Sequence, residues 1–410
     1  MELFLVDTIE EARVKMLAAF SGRERRTQVL DFQQACGFVL AEDIYAAEDL
    51  PGFDRSTVDG YAVRAADTAG AGESIPSFLR CVGAVDMGQT AQVLIQAGEC
   101  AYVPTGGMIP DGADSVVMVE YCERFAGDGG IAVYESVSPG RNLIRKGDDA
   151  KDGQLLLRRG TVLRPPEIGV LAAAGITQVT VCKALSMTII STGDELVPPG
   201  QIPQAGQIRD LNTAALHAQA ECAGFNVQRT LVVRDEEMLL SGAVREAIRG
   251  NDIVVISGGS SQGERDLTAQ VIKQFSVSGL LTHGLAMKPG KPTIVAYSEE
   301  NDCLLIGLPG HPVSAMLVFE TLLGWLWRTI SGQKPPYPVE AVMLQNVPGD
   351  PGKDTLQLVR LRQTDLYYEA IPVLGKSGLI TRLSQADGYI VIDRNKEGIT
   401  KGEAVQVHFL

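Results

Sequence analysis

Positive charge is what this chain has least of. Lys and Arg together number 36 against 50 Asp and Glu, and the net charge of the 410 residues is −14. A nucleic-acid partner needs a basic footprint to neutralise phosphates, so that class is excluded. Paired cysteines are also missing. Cys36, Cys81, Cys100, Cys122, Cys182, Cys222 and Cys303 are odd in number and contain no CxxC pair. That usage fits reduced thiols in a cytoplasmic protein. His217, His283, His311 and His408 are scattered, so no zinc-ligand spacing is present. There is no Walker A loop, no GxSxG elbow and no HExxH, which leaves the nucleotide-loop, hydrolase and metalloprotease readings without an anchor. Met1 to Asp7 has no basic start and no apolar run, so no secretory leader is expected. The most apolar late stretch, Ser314 to Ile330, holds Glu320 and Arg328. It reads as a buried helix and not as a membrane span.

Glycine and apolar residues are plentiful. Gly accounts for 44 positions, hydrophobic residues for 45% and charged residues for 21%. This is a globular composition with many tight turns, and the length suggests about three domains. Thr8-Ile9-Glu10-Glu11 is a capping box that opens a helix to about Phe20. A second helix is expected over Val29 to Ala35, ended near Gly37. From Ser56 to Glu135, short apolar runs alternate with Gly, Asp and Pro clusters, an all-β pattern. Gly127 to Ala132 spells a dinucleotide fingerprint, but it does not lie between a strand and a helix and reads as a hairpin turn. Pro165-Pro166-Glu167 opens another helix, which ends at Gly175.

From Leu185 strands and helices alternate. Strands are expected at Met187 to Ile190, Val227 to Val233, Asp252 to Ser257, Thr293 to Ala296 and Cys303 to Ile306. Helices are expected at Asn212 (as cap) to Gly224, Asp235 to Arg249, Leu267 to Phe275 and Pro312 to Ile330. Such alternation implies a mostly parallel sheet with its ligand edge at the strand ends. After Pro336 the chain is β-like again, with strands at Leu356 to Leu361 and Tyr389 to Ile392. The expected division is a split helical region (1–50 and 141–183) around a β module (51–140), an α/β domain (184–332) and a C-terminal β domain (333–410).

Four loops carry candidate chemistry. Ser191-Thr192-Gly193-Asp194-Glu195 follows a strand. It is either an ordinary turn with exposed acids or a loop where small residues admit a ligand and the acids hold a cation. Ser257 to Asp266 is Gly-rich, follows a strand and opens a helix. Its free amides suit an anion, and Asp266 either caps the helix or holds Mg²⁺ against a phosphate. Met287-Lys288-Pro289-Gly290-Lys291-Pro292 presents two ammonium groups in a stiff loop, a local source of the positive charge the chain otherwise lacks. Gly307 to Ala315 joins a strand to a helix whose first turn takes Pro312. Asp59-Gly60 and Pro104-Thr105-Gly106 are turn signals that leave a ligand role open.

In this order the loops resemble the molybdopterin molybdenumtransferase family (the MoeA and gephyrin E-domain group), from about Thr8 to the C-terminus. The resemblance rests on Asp54 to Arg64, Pro104 to Glu120, Gly140 to Asp149, Ser191 to Leu196, Gly206 to Asn212, Ser257 to Asp266, Lys288 to Pro292 and Gly307 to Ala315. It implies a multidomain α/β plus β fold. The β module is inserted in the helical region, the α/β domain is of the MogA/MoaB (adenylyltransferase) type, and a β-barrel ends the chain. The implied enzyme is a molybdopterin molybdotransferase. It inserts molybdate into adenylylated molybdopterin and releases AMP, with Mg²⁺, as a cytoplasmic homodimer with no nucleic-acid or membrane partner. The adenylyltransferase of the same pathway is a candidate partner.

Carried over by motif, the catalytic positions are Asp59, Glu195, Asp235, Asp266, Lys288 and Lys291. Glu195 and Asp266 would hold the metal, the lysines phosphate or molybdate, and Asp59 would complete the partner subunit's site. Cofactor-binding positions are Thr105, Ser191, Thr192, Gly193, Ser257, Gly258, Gly259, Pro309, Gly310 and Ser314. The chain departs from the family pattern at His311, where Asn is frequent, and at Lys353, Leu358 and Arg382. Alternatives are a tungstate-preferring relative, a non-catalytic molybdopterin-binding scaffold, and an enzyme that adenylylates molybdopterin with ATP.

Overall fold

A computed structural model of the chain describes residues 6–20, 26–125, 129–258 and 267–410. The first helix, Ile9–Phe20, begins at the expected capping box: the Thr8 amide donates to Glu11 (2.8 Å) and the Glu11 amide donates to the Thr8 hydroxyl (3.1 Å). Each bond satisfies a donor that the helix start leaves free.

The second expected helix does not form. Thr27–Asp31 is a strand paired antiparallel with Gln178–Cys182, Val29 opposite Thr180. A short 3-10 turn, Phe32–Gln34, follows, with the Asp31 carboxylate accepting from the Gln33 amide (2.9 Å). A seven-residue helix leaves most of its backbone groups at its ends. The ladder to residues 178–182 satisfies them better, and nothing local in the sequence announces that partner.

Between these strands runs the β module. Its six-stranded sheet is ordered Ser115–Met118, Gly60–Val63, Glu99–Val103, Ser77–Ala84, Gly130–Val133, Cys122–Arg124. The last two strands pair antiparallel; residues 126–128, within the stretch expected as a hairpin turn, lie outside the described residues. The helix Pro165–Ala173 then returns the chain to the N-terminal region, where Leu40, Leu163, Leu171 and Val181 share one buried cluster.

The α/β domain carries a six-stranded sheet. Asn226–Val233, Ser186–Thr192, Ile253–Ser257 and Cys303–Leu308 are parallel, and the antiparallel Ile294–Ser298 and then Leu280–His283 complete it. All five residues of Ile253–Ser257 are buried, as expected for a strand covered by helices on both faces. The long apolar helix runs Pro312–Val318, Phe319–Gly324 as a π segment, then Trp325–Ser331. Phe319, Leu322, Leu323 and Leu326 on it are fully buried, and Arg328 pairs with Glu320 at 2.7 Å.

The C-terminal strands close into a barrel. Gly388–Ile392 pairs with both Ala404–Phe409 and Asp354–Gln363, and Tyr368–Pro372 and Val339–Met343 complete the ring. Met287-Lys288, from the α/β domain, adds to its edge as a parallel strand against Asp354 and Thr355. One buried cluster holds Met16 of the first helix, Ile189 and Phe319 of the α/β domain, and Leu356 and Tyr389 of the barrel. The three regions are therefore cemented together. The Lys288 loop is held from both sides.

Candidate active site

The parallel strands end at Thr192, Val233, Ser257 and Leu308, and a cleft of about 820 Å³ opens there. Ser191, Thr192, Ser257, Gly258, Pro309 and Gly310 line it, with the carboxylates of Glu195 and Asp235. Of the cofactor-binding positions expected from sequence, Ser191 (1% exposed), Thr192 (3%) and Ser257 (2%) form the buried floor.

Each is oriented by a partner. The Ser191 hydroxyl shares a hydrogen bond with the Thr213 hydroxyl (2.7 Å), and the Thr192 hydroxyl donates to Asp235. Glu195 is carried on a loop stitched by two short parallel strands, Leu196–Val197 and Ile208–Arg209. Its carboxylate folds over Gly193, where an added Cβ would stand 2.8 Å from Glu195 Oε2. A side chain at 193 would therefore push this carboxylate out of its present position.

Gly258 is more constrained still. Its φ is +112°, and an added Cβ would lie 2.2 Å from the Thr192 carbonyl oxygen. Asn212, expected as a helix cap, does something else. Its amide nitrogen donates to the Ser257 hydroxyl (2.9 Å) and to the Gly310 carbonyl (2.8 Å), tying two strand-end loops together. Capping passes to Asp210, whose carboxylate accepts from the Thr213 amide (3.1 Å). The spacing of either residue suits a cap; only the folded loops decide which one is free to cross-link.

A second cavity, about 360 Å³, adjoins the cleft and shares Pro292, Pro309 and His311 with it. Lys288, Lys291 and Ser314 line it, together with Asp350, Lys353 and Ser377 from the C-terminal domain. Asp350 pairs with Lys353 (3.0 Å) and Lys288 (3.5 Å). The hydrogen bond from Lys353 and the two positive charges hold its carboxyl below the usual range. Lys291 is exposed and has no carboxylate partner among the described residues. His311, at the junction, bonds the Ser377 hydroxyl through Nδ1 (2.8 Å).

Sequence reading named no C-terminal residue for the site. Lys353 stood out as a departure, but Asp350 and Ser377 carried no local signal. Two expected residues lie apart: Asp59 accepts from the Thr105 amide (2.7 Å) and hydroxyl (3.1 Å) in the β module, and neither lines the two cavities. Gly259 and Asp266 lie outside the described residues.

The fold and site define a class of multidomain protein in which an α/β domain presents an acid-and-amide cleft, joined to a lysine cavity closed by a β-barrel. The chain matches the family models for the MoeA N-terminal region (domain I and II) over residues 7–175, a probable molybdopterin binding domain over 188–328, and the MoeA C-terminal region (domain IV) over 340–410. A molybdopterin molybdenumtransferase of Haemophilus influenzae is 32% identical over 407 residues, covering 98% of each chain. A putative molybdopterin biosynthesis protein of Methanocaldococcus jannaschii is 32% identical over 416 residues, covering 100% of this chain and 98% of that one. The crystal structure of a MoeA protein of Pyrococcus horikoshii superposes with a TM-score of 0.84 at 30% identity, over 99% of this chain and 100% of that one. The chain belongs to the MoeA family of molybdopterin molybdenumtransferases.

Proposed function

We propose that the chain is a molybdopterin molybdenumtransferase that inserts molybdate into adenylylated molybdopterin and releases AMP, working as a cytoplasmic, Mg²⁺-dependent homodimer. The observation that supports this most is the junction at His311. There the acid-and-amide cleft meets a lysine cavity, so a phosphate ester and an oxyanion can be held side by side. Proximity of this kind converts a bimolecular encounter into a local step.

In this reading the backbone amides of Gly310 and His311, between Pro309 and Pro312, face the AMP phosphate, as amides at strand-to-helix turns do. Lys291, with Lys288 and Lys353, holds the oxyanion by charge. Asn212 keeps the Ser257 and Gly310 loops at a fixed spacing while the phosphate leaves. The donors suit Mg²⁺: Glu195 and Asp235 offer hard oxygens at the mouth. Such an ion would be bound by one or two carboxylates and completed by substrate phosphate and water. When bound, Mg²⁺ neutralises charge at the phosphate. Asp266 is proposed as the companion of Glu195.

The test is AMP release from adenylylated molybdopterin with molybdate, tungstate or neither. Oxyanion-dependent release is expected, and Lys291→Ala should raise the oxyanion KM about tenfold, the loss of one charge-assisted contact, with little change at saturation. Pterin binding without release would turn the reading to a scaffold. The same assay compares tungstate with molybdate directly.

The Asp59–Thr105 pair is proposed to complete the site of the second subunit. Mixing Asp59→Asn chains with Glu195→Gln chains should then restore activity, because each mixed dimer regains one intact site. No recovery after verified exchange of subunits would remove Asp59 from the partner's site.

A further inference from the structure

At the other end of the α/β sheet is a cavity of about 690 Å³ that the proposed reaction does not use. The cleft lies at the ends of the parallel strands. This cavity lies at their beginnings, where residues 182–184 lead into Ser186–Thr192 and Asn226 opens the next strand. A seven-residue strand spans roughly 23 Å, so the two sites are separated by the length of the sheet.

Its walls come from two regions. Phe38 and Val162 belong to the split N-terminal region, and Phe225 and Trp327 to the α/β domain. The Phe225 and Trp327 rings are 6.1 Å apart at 45° and make an aromatic wall. Trp327 is 5% exposed, yet its indole N–H has no hydrogen-bond partner among the described residues. It lies over Gly224, another lining residue, where an added Cβ would stand 3.0 Å from Nε1. The indole nitrogen is not among the fully buried polar atoms left without a partner, so its N–H is a donor that opens onto the cavity. The rim carries Lys183, exposed and without a carboxylate partner among the described residues, and the exposed thiols of Cys36 and Cys222. The volume falls in the range of small-ligand pockets.

We propose that this cavity is a second ligand site that takes a planar aromatic acid. The ring packs against Phe38, Phe225 and Trp327. An oxygen of the ligand accepts from the Trp327 indole, and Lys183 offsets its charge at the rim. Bound there, the ligand bridges the N-terminal region and the α/β domain.

The probe is 1-anilinonaphthalene-8-sulfonate, titrated into the full-length protein and followed by its own fluorescence. Saturable binding of one probe per chain is expected. Trp327→Phe keeps a ring but removes the donor and should weaken binding about tenfold, the worth of one hydrogen bond. Val162→Trp, at a half-exposed wall position, should fill the cavity and abolish binding while AMP release stays normal. If Trp327→Phe fails to fold, Val162→Trp carries the test. Bound probe should also slow iodoacetamide alkylation of Cys36 and Cys222 and leave that of Cys81, in the β module, unchanged. The proposal is overturned by an absence of saturable binding, by wild-type binding in Val162→Trp, or by unshielded Cys36 and Cys222.

Discussion

Glu195→Gln is expected to lower the rate of AMP release about 100- to 1,000-fold, the loss seen when one preorganised electrostatic contact to a transition state is removed. The amide keeps the size of the side chain and its place over Gly193, but it gives up the charge that would face a cation. Glu195 is exposed at the cleft mouth, so thermal stability should not change. The KM for adenylylated molybdopterin should stay within a few-fold, and raised Mg²⁺ should recover part of the rate. A variant turning over within threefold of the parent would show that the acid is only a surface group. A variant with normal kcat but a much higher pterin KM would make it a binding residue and leave the cation to Asp235 and Asp266.

Gly258→Ala is expected to be the most damaging single change in the cleft. Two costs combine: a left-handed φ of +112°, and a Cβ that would stand 2.2 Å from the Thr192 carbonyl oxygen and 3.3 Å from Thr192 Cγ2. The dihedral alone costs on the order of 1–3 kcal/mol, and the clash must push two neighbouring strand ends apart. A total near 3 kcal/mol would lower Tm by about 3–4 °C for a chain of this length unfolding as one unit. Thr192 cannot move without losing its bond to Asp235, so AMP release should fall by about 100-fold or more. Gly37→Ala is the matched control: its φ is +88°, but nothing lies within 4 Å of the added carbon, so only the modest backbone cost should appear. Equal loss of stability in the two variants would refute the clash.

The local signals in this chain were strong where they depend on neighbours in sequence. The Thr8–Glu11 box, Pro165 and Pro312 at helix starts, and buried runs such as Ile253–Ser257 each lie within a few residues of the structure they specify. The same locality explains the failures. Thr27–Asp31 becomes a strand because residues 178–182, about 150 positions away, offer a ladder. Asn212 and Asp210 are equally good caps by type, and Asn212 is diverted only because Ser257 and Gly310 come within reach of its amide.

The candidate site divides in the same way. Glu195, Ser257, Gly258, Lys288 and Lys291 each sit in a compact motif at a strand end, whereas Asp235 was named only through the family resemblance. Asp350 and Ser377 were legible by neither route. They reach the lysines only because Met287-Lys288 adds to the barrel edge beside Asp354.

By itself, then, the sequence determined the order of modules, the mostly parallel sheet and the edge at which chemistry is to be sought, because periodicity, capping and turn residues act over a few bonds. The tertiary structure alone decided which loops meet, that a cleft of acids adjoins a cavity of lysines, and that Trp327 turns an unpaired donor toward an open space. Those are consequences of packing between segments far apart in the chain, which no local pattern encodes.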